Sequence, residues 1–200
     1  MGTESWEEFL KRNHEEINKW PKWKRELFER ADTFSRRLKK MGTKRLIAID
    51  PGLNGCGLAM FDDLLVYATY VKETEGLTHP NNKLLNMQTR INDMIGGVCG
   101  FNYQVVCELP QVYTQGKLKG DPNDLINLAL IVGGIHANYK TQLVKPREWK
   151  GQMPKEVCNQ RVLSKLSPEE KEVIDKKIPK SLLHNTLDAV GIGLWALGRL

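Results

Sequence analysis

The strongest constraint in this chain is a change of period at residue 45. Before it, apolar residues recur every three or four positions; after it, three short apolar runs follow one another with only tight turns between them. Arg45-Leu46-Ile47-Ala48-Ile49-Asp50 ends in a carboxylate, and Pro51-Gly52-Leu53-Asn54-Gly55 is a cluster of turn formers. Cys56-Gly57-Leu58-Ala59-Met60-Phe61 returns as a second strand, and Asp62-Asp63 turns the chain into a third over residues 64–71. Strands this close in sequence pair with their neighbours, which predicts an antiparallel meander.

The remaining elements alternate. A helix is expected over residues 82–95, with Leu84, Leu85, Met87, Ile91 and Ile95 facing inward and Gly96-Gly97 ending it. Tyr103-Gln104-Val105-Val106-Cys107-Glu108 reads as a strand that again ends in a carboxylate. Asp121-Pro122 supplies a cap and a first-turn proline for a helix to about residue 138, whose Gly133-Gly134 pair predicts close packing on a sheet. Residues 141–145 read as a strand and 146–153 as a loop carrying Trp149. Two short polar helices over 154–165 and 168–176 precede a closing helix over 182–199, rich in small and apolar residues. From residue 45 the order is therefore β-β-β-α-β-α-β-α. That is the ribonuclease H-like order, an α/β fold with a mixed five-stranded sheet flanked by helices.

Residues 1–43 predict a basic helical extension ahead of a body over residues 44–200. Ser5 and Glu8 form a capping box before Trp6, Phe9, Leu10, Ile17 and Trp20, and Pro21 opens a second helix with Leu27, Ala31, Phe34, Leu38 and Met41 on one seam. Of the net +6, residues 1–45 carry 13 Lys/Arg against 8 Asp/Glu, while the rest carries 17 against 16. A basic arm on a nearly neutral body points to a polyanion, nucleic acid before membrane, with a solvated charged helix as the equal alternative on charge alone. No apolar run approaches the roughly 18 residues of a bilayer span. The acidic, aromatic start is unlike a signal peptide. Cys56, Cys99, Cys107 and Cys158 show no C-x-x-C spacing, which predicts reduced thiols and a cytoplasmic setting.

In this topology the first and fourth strands are neighbours, so Asp50 and Glu108 meet at one end of the sheet. Asp188 lies on the closing helix, where Ala189, Gly191, Gly193 and Ala196 lack bulk and let the helix come close. His184 and Asn185, four and three residues earlier, share its helical face. Three crowded carboxylates need cations, and oxygen ligands favour Mg²⁺ with Mn²⁺ as a substitute. Two ions about 3.5–4 Å apart are suited to phosphodiester hydrolysis. The small residues of the Gly52–Gly57 turn would let a phosphate backbone approach. Taken singly, Asp50 and Glu108 read as ordinary strand-end acids, His184 as a satisfied polar group and Asn185 as an N-cap; the joint pattern carries the metal site.

Ile47-Ala48-Ile49-Asp50-Pro51-Gly52, Val106-Cys107-Glu108 and His184-Asn185-Thr186-Leu187-Asp188-Ala189 resemble the three acidic motifs of the RuvC-like Holliday junction resolvases, of phage or organellar type. The resemblance covers residues 44–200. It implies a homodimeric, Mg²⁺-dependent endonuclease that nicks opposing strands of a four-way DNA junction, in a bacterial or phage-infected cell or in an organelle. Asp50, Glu108 and Asp188 then carry over as metal ligands. Bacterial members have an acid or His where this chain has Asn185, and His184 is favoured as the fourth catalytic and metal-binding group. Gln111-Val112-Tyr113 resembles the aromatic wedge that follows the second acid, although Tyr113 packed on its own loop fits the sequence equally. Lys145-Pro146-Arg147-Glu148-Trp149-Lys150-Gly151 resembles a basic stretch of phage and organellar relatives. Lys145, Arg147 and Lys150, with Lys117 and Lys119, become candidates for phosphate contacts or plain surface charges. Three alternatives remain open: a nuclease for other branched DNA, one for RNA–DNA hybrids, and a non-catalytic junction-binding protein. A two-lobed ATPase shares the Asp-Pro-Gly hairpin but needs a second lobe for which there is no room.

Overall fold

The computed structural model describes residues 21–22, 44–72, 74, 76, 79–97, 103–112, 121–174 and 176–200. The seams expected in the first 41 residues, and Tyr113, Lys117, Lys119 and Cys99, lie outside these.

Strands β1 (Arg45–Asp50), β2 (Gly55–Asp62) and β3 (Leu64–Lys72) form the expected meander. β1 and β2 pair antiparallel, with Ala48 opposite Ala59 and Asp50 opposite Gly57. β2 and β3 pair likewise, with a register shift between Met60 and Phe61. Helix α1 (Pro80–Gly96) leads to β4 (Gln104–Glu108), which lies parallel to β1 with Cys107 beside Ile49. Helix α2 (Pro122–Tyr139) returns the chain to β5 (Gln142–Val144), parallel to β4, and the order across the sheet is β3-β2-β1-β4-β5. Short helices α3 (Pro146–Trp149), α4 (Lys155–Ser164) and α5 (Pro168–Glu172) precede the closing helix α6 (Leu183–Ala196). The segment expected as a loop around Trp149 is thus partly a helical turn, started by Pro146. This is the mixed five-stranded ribonuclease H-like architecture. Among the described residues no helix is long and apolar enough to cross a membrane.

The pleat sorts the strands' side chains. Leu46, Ala48, Ala59, Phe61, Val106 and Val144 belong to one core cluster with Trp149, Val162, Val190, Ile192 and Leu194, so this face carries α6 and α4. Ile47, Leu58 and Met60 turn the other way, toward Met94 and Ile95 of α1. Met87, Ile91 and Ile95 are buried as expected, but Leu85 is 66% exposed and does not face the core. Asp121 caps α2 through the Asn123 N–H, and Lys140 ends it in the left-handed region at φ 48°. The Gly133-Gly134 pair does not serve the sheet. Gly134 lies against the Gln88 side chain of α1, and a Cβ at Gly133 would meet nothing within 4 Å.

Helix α6 sits unusually low. A Cβ on Gly57 of β2 would lie 1.9 Å from the Asn185 carbonyl oxygen, and one on Gly193 would lie 2.0 Å from the Phe61 ring. Thr186 Oγ1 donates to the Thr69 carbonyl at 3.1 Å, tying the helix to β3 as well. The exposed edge of β3 is closed differently: the Leu65 N–H donates at 2.7 Å to Glu170, whose carboxylate also receives the Arg199 guanidinium at 2.8 Å through each of two nitrogens. A bidentate pair fixed from a strand's free edge blunts that edge to other strands.

Because the obstacle at Gly57 is backbone rather than a movable side chain, Gly57→Ala is expected to cost about 1–3 kcal/mol in denaturant unfolding. Gly96→Ala, where the added carbon meets nothing within 4 Å, should be neutral or stabilise slightly.

Candidate active site

Asp50 and Glu108 are the last residues of neighbouring parallel strands and follow directly on the paired residues Ile49 and Cys107. The two acids therefore stand side by side. Two-residue periodicity puts Asp50 on the face of Leu46 and Ala48, and Glu108 on that of Val106, which is the face α6 covers. The low seat of α6 at Gly57, the partner of Asp50, brings Asn185 over the end of β1, and Asp188 follows one helical turn later.

Two of the acids share a cation from the protein itself. Lys150 Nζ lies 3.4 Å from Glu108 Oε2 and 3.6 Å from Asp188 Oδ2, and 4.7 Å from the centroid of the Trp149 ring. The Trp149 indole N–H donates to Glu108 Oε2 at 2.6 Å. Trp149 is itself buried against Gly191, where a Cβ would lie 2.5 Å from the ring. Burial pushes the Asp50 carboxyl well above the usual carboxylate range, and the charges of Glu108 and Asp188 push it further. Burial likewise raises Glu108, against the opposing pull of Lys150 and the Trp149 hydrogen bond. Burial works to lower Lys150, but the Glu108, Asp188 and Asp50 charges outweigh it and hold its ammonium above the ordinary lysine range.

The other candidates divide. His184 is half-buried on the same helix, one turn before Asp188; burial and Lys155 hold its imidazole below the usual histidine range, opposed by Asp188. Asn185 is a tie rather than a cap: its Nδ2 donates to the Gly55 carbonyl at 2.6 Å, and the helix starts at Leu183. The glycines of the turn accommodate this helix end, since Cβ atoms at Gly52, Gly55 and Gly57 would meet Asn185 or Leu182. The expected passage for a phosphate backbone is taken up there by the protein. Lys145, just before α3, and Arg147 on it are exposed, whereas Lys150 of the same stretch lies against Glu108 and Asp188. Trp149 was not among the residues expected at the site. Its signal was chemical: a buried indole N–H needs an acceptor, and the strand beside β5 ends in a carboxylate.

Among the described residues no three acid, histidine or cysteine side chains stand together as a ready chelate, and the Lys150 ammonium lies between Glu108 and Asp188. The donor chemistry nevertheless suits a hard divalent ion: Asp50, Glu108 and Asp188 offer carboxylate oxygens, and positive charge is already held between two of them. Cys56, Cys107 and Cys158 are free and buried, as expected for reduced thiols.

The raised Asp50 carboxyl fixes the sign of a pH dependence. A carboxyl that ionises less readily when folded destabilises the fold as pH rises from the unfolded value, near 4, through its own raised pKa. Asp50→Asn is expected to raise the metal-free Tm at neutral pH, by about 2–4 °C for each kcal/mol relieved. The gain should vanish below about pH 4, where both side chains are neutral. Thermal unfolding in EDTA across pH reads both.

No family model and no curated protein matches the sequence. Solved structures do match. RuvC of Thermus thermophilus in complex with a Holliday junction substrate aligns at a TM-score of 0.51 and 16% identity, over 76% of this chain and 90% of that one. A second structure of Thermus thermophilus RuvC aligns at a TM-score of 0.51 and 17% identity, over 75% and 91%. The yeast mitochondrial Holliday junction resolvase Ydc2 aligns at 0.49 and 12%, over 88% and 92%. The chain has the RuvC-like form of the ribonuclease H-like fold.

Proposed function

We propose that the protein is a divalent-metal-dependent endonuclease that hydrolyses phosphodiester bonds of four-way junction DNA. The observation that carries this reading is the side-by-side placing of Asp50 and Glu108 on adjacent parallel strand ends, with Asp188 from the closing helix sharing the Lys150 ammonium with Glu108. The likeness of the whole fold to RuvC, which has been captured on a Holliday junction, supports the choice of substrate. Retention of all three acids argues against a binding protein that has lost its chemistry.

Asp50, Glu108 and Asp188 would hold Mg²⁺ or Mn²⁺, two ions per site, with His184 as the fourth group. The chemistry supplied with ions in place is activation of water and neutralisation of charge building on the phosphorus. The protein's own part is orientation. Trp149 fixes Oε2 of Glu108, the oxygen that also faces Lys150, and the hold of Asn185 on the Gly55 carbonyl fixes the start of the helix that bears Asp188. Lys145 and Arg147, both exposed, are the candidates for contacts with backbone phosphates, with Lys117, Lys119 and Tyr113 as further candidates.

Paired symmetric nicks require two sites, hence a homodimer. Ile126 and Leu130 of α2, one turn apart and 59% and 60% exposed, offer an apolar face for an isologous contact. Glutamate at both positions is expected to convert the dimer to monomer in sedimentation and to abolish paired nicking.

The test of the chemistry is a gel assay on a synthetic four-way junction, with Mg²⁺ and with EDTA. Cleavage should need the metal and yield symmetric nicks, with flaps and RNA–DNA hybrids cut less well. Asp50→Asn, Glu108→Gln and Asp188→Asn should each reduce cleavage by at least about 10³-fold while junction binding persists. Full activity in any one of them would refute the site.

A further inference from the structure

We propose that Lys150 is the resident counterion of the acid cluster, holding Glu108 and Asp188 together before divalent ions arrive and giving up that position when they bind. The inference rests on the nuclease reading and adds to it a residue that sets affinity for the metal.

The geometry favours a removable charge over a permanent bridge. The Nζ–oxygen distances of 3.4 and 3.6 Å are those of an ion pair, longer than the 2.7–2.9 Å common in tight charge-assisted hydrogen bonds. The Lys150 side chain is 26% exposed, against 15% and 14% for its two partners, so the ammonium approaches from the solvent side. Its backbone is fixed independently of its side chain. The Lys150 N–H closes the α3 turn onto the Pro146 carbonyl at 3.0 Å, and Trp149 anchors that turn under Gly191. An ammonium on a four-carbon stem is a mobile point charge, able to leave without unfolding its support.

Charge balance supplies the reason for such a device. Three buried or half-buried carboxylates at one sheet end repel one another, and a compact cation of the protein's own relieves this when metal is absent. Lys150 and a divalent ion use the same two carboxylates, and the positive charges oppose each other at that range. Lysine therefore competes with the metal, and removing it has opposite effects on the two states.

Lys150→Met and Lys150→Gln separate these effects. Thermal unfolding in EDTA should show both variants less stable than the parent. Mn²⁺ titrations followed by calorimetry and by the signal of free Mn²⁺ in electron paramagnetic resonance should show both binding the ion about tenfold more tightly, the lower end of the range that outer partners of metal ligands command. A merely structural loss would loosen the acids and weaken binding, so tightening is diagnostic. Equal or weaker Mn²⁺ binding in both variants, with the parent binding normally, overturns the counterion role and leaves the nuclease reading standing. Absence of Mn²⁺ binding in parent and variants alike overturns both.

Discussion

Side chains ordinarily hold a helix away from the sheet beneath it, and the site in this protein depends on their removal at one place. Gly57 lies opposite Asp50 in the β1–β2 ladder and directly beneath the backbone of Asn185. Any larger residue there would lift the start of α6 and carry Asp188 away from the strand ends. Gly193 repeats the device two turns later over Phe61, and Gly191 repeats it against Trp149. Three glycines, one on β2 and two on α6, thus set one distance: that between a helical carboxylate and two strand-end carboxylates. The cost is the backbone entropy that glycine loses on folding, most of all within α6.

A cluster obtained this way works against the fold that builds it. Asp50 is buried beside two other acids, and nothing in a hydrophobic core compensates for that. The balance is struck elsewhere on the same face. Aliphatic packing of Leu46, Ala48, Val106 and Val144 under α6 supplies non-directional stabilisation, and the Glu170–Arg199 pair seals the far edge with its charges fully matched. The two ionic groupings behave differently for a physical reason. Glu170 is satisfied by an arginine fork and two backbone N–H groups, those of Leu65 and Ser167, an arrangement with no vacancy for another ion. The acids around Lys150 outnumber their cation.

Much of this was legible in the sequence because it depends on periodicity. A strand that ends in a carboxylate two residues past an apolar neighbour puts that carboxylate on the neighbour's face, so Asp50 and Glu108 follow from the pleat once the strand order is known. Asp188 follows from a helix with too little bulk to be held at a distance. What was missed depends on three-dimensional proximity with no period. The α3 turn after β5 brings Trp149 and Lys150 to Glu108, 41 and 42 residues away, and only the parallel β4–β5 pairing explains it. Counting its charge alone, Lys150 reads as a surface contact. Leu85 and Gly133 differ from expectation for another reason: apolarity or small size alone does not fix a face, because on α1 and α2 such residues also line the outside.

The same charge count bears on the order of events at the site. Among the described residues only Lys150 is paired with the acids, on Glu108 and Asp188, while Lys155 also acts on Asp50, so the metal-free cluster holds more acid groups than paired cations and does not itself attract a phosphate backbone. Lys145 and Arg147 are exposed, and on the nuclease reading they would attract that backbone from outside the cluster. On the nuclease reading the two sets of charges then act in sequence. The outer basic residues concentrate the polyanion, and only cations that displace or join Lys150 turn the acids from a barrier into a reactive centre. Binding and cleavage become separable, because they draw on opposite signs of charge held on adjacent segments of one short stretch of chain.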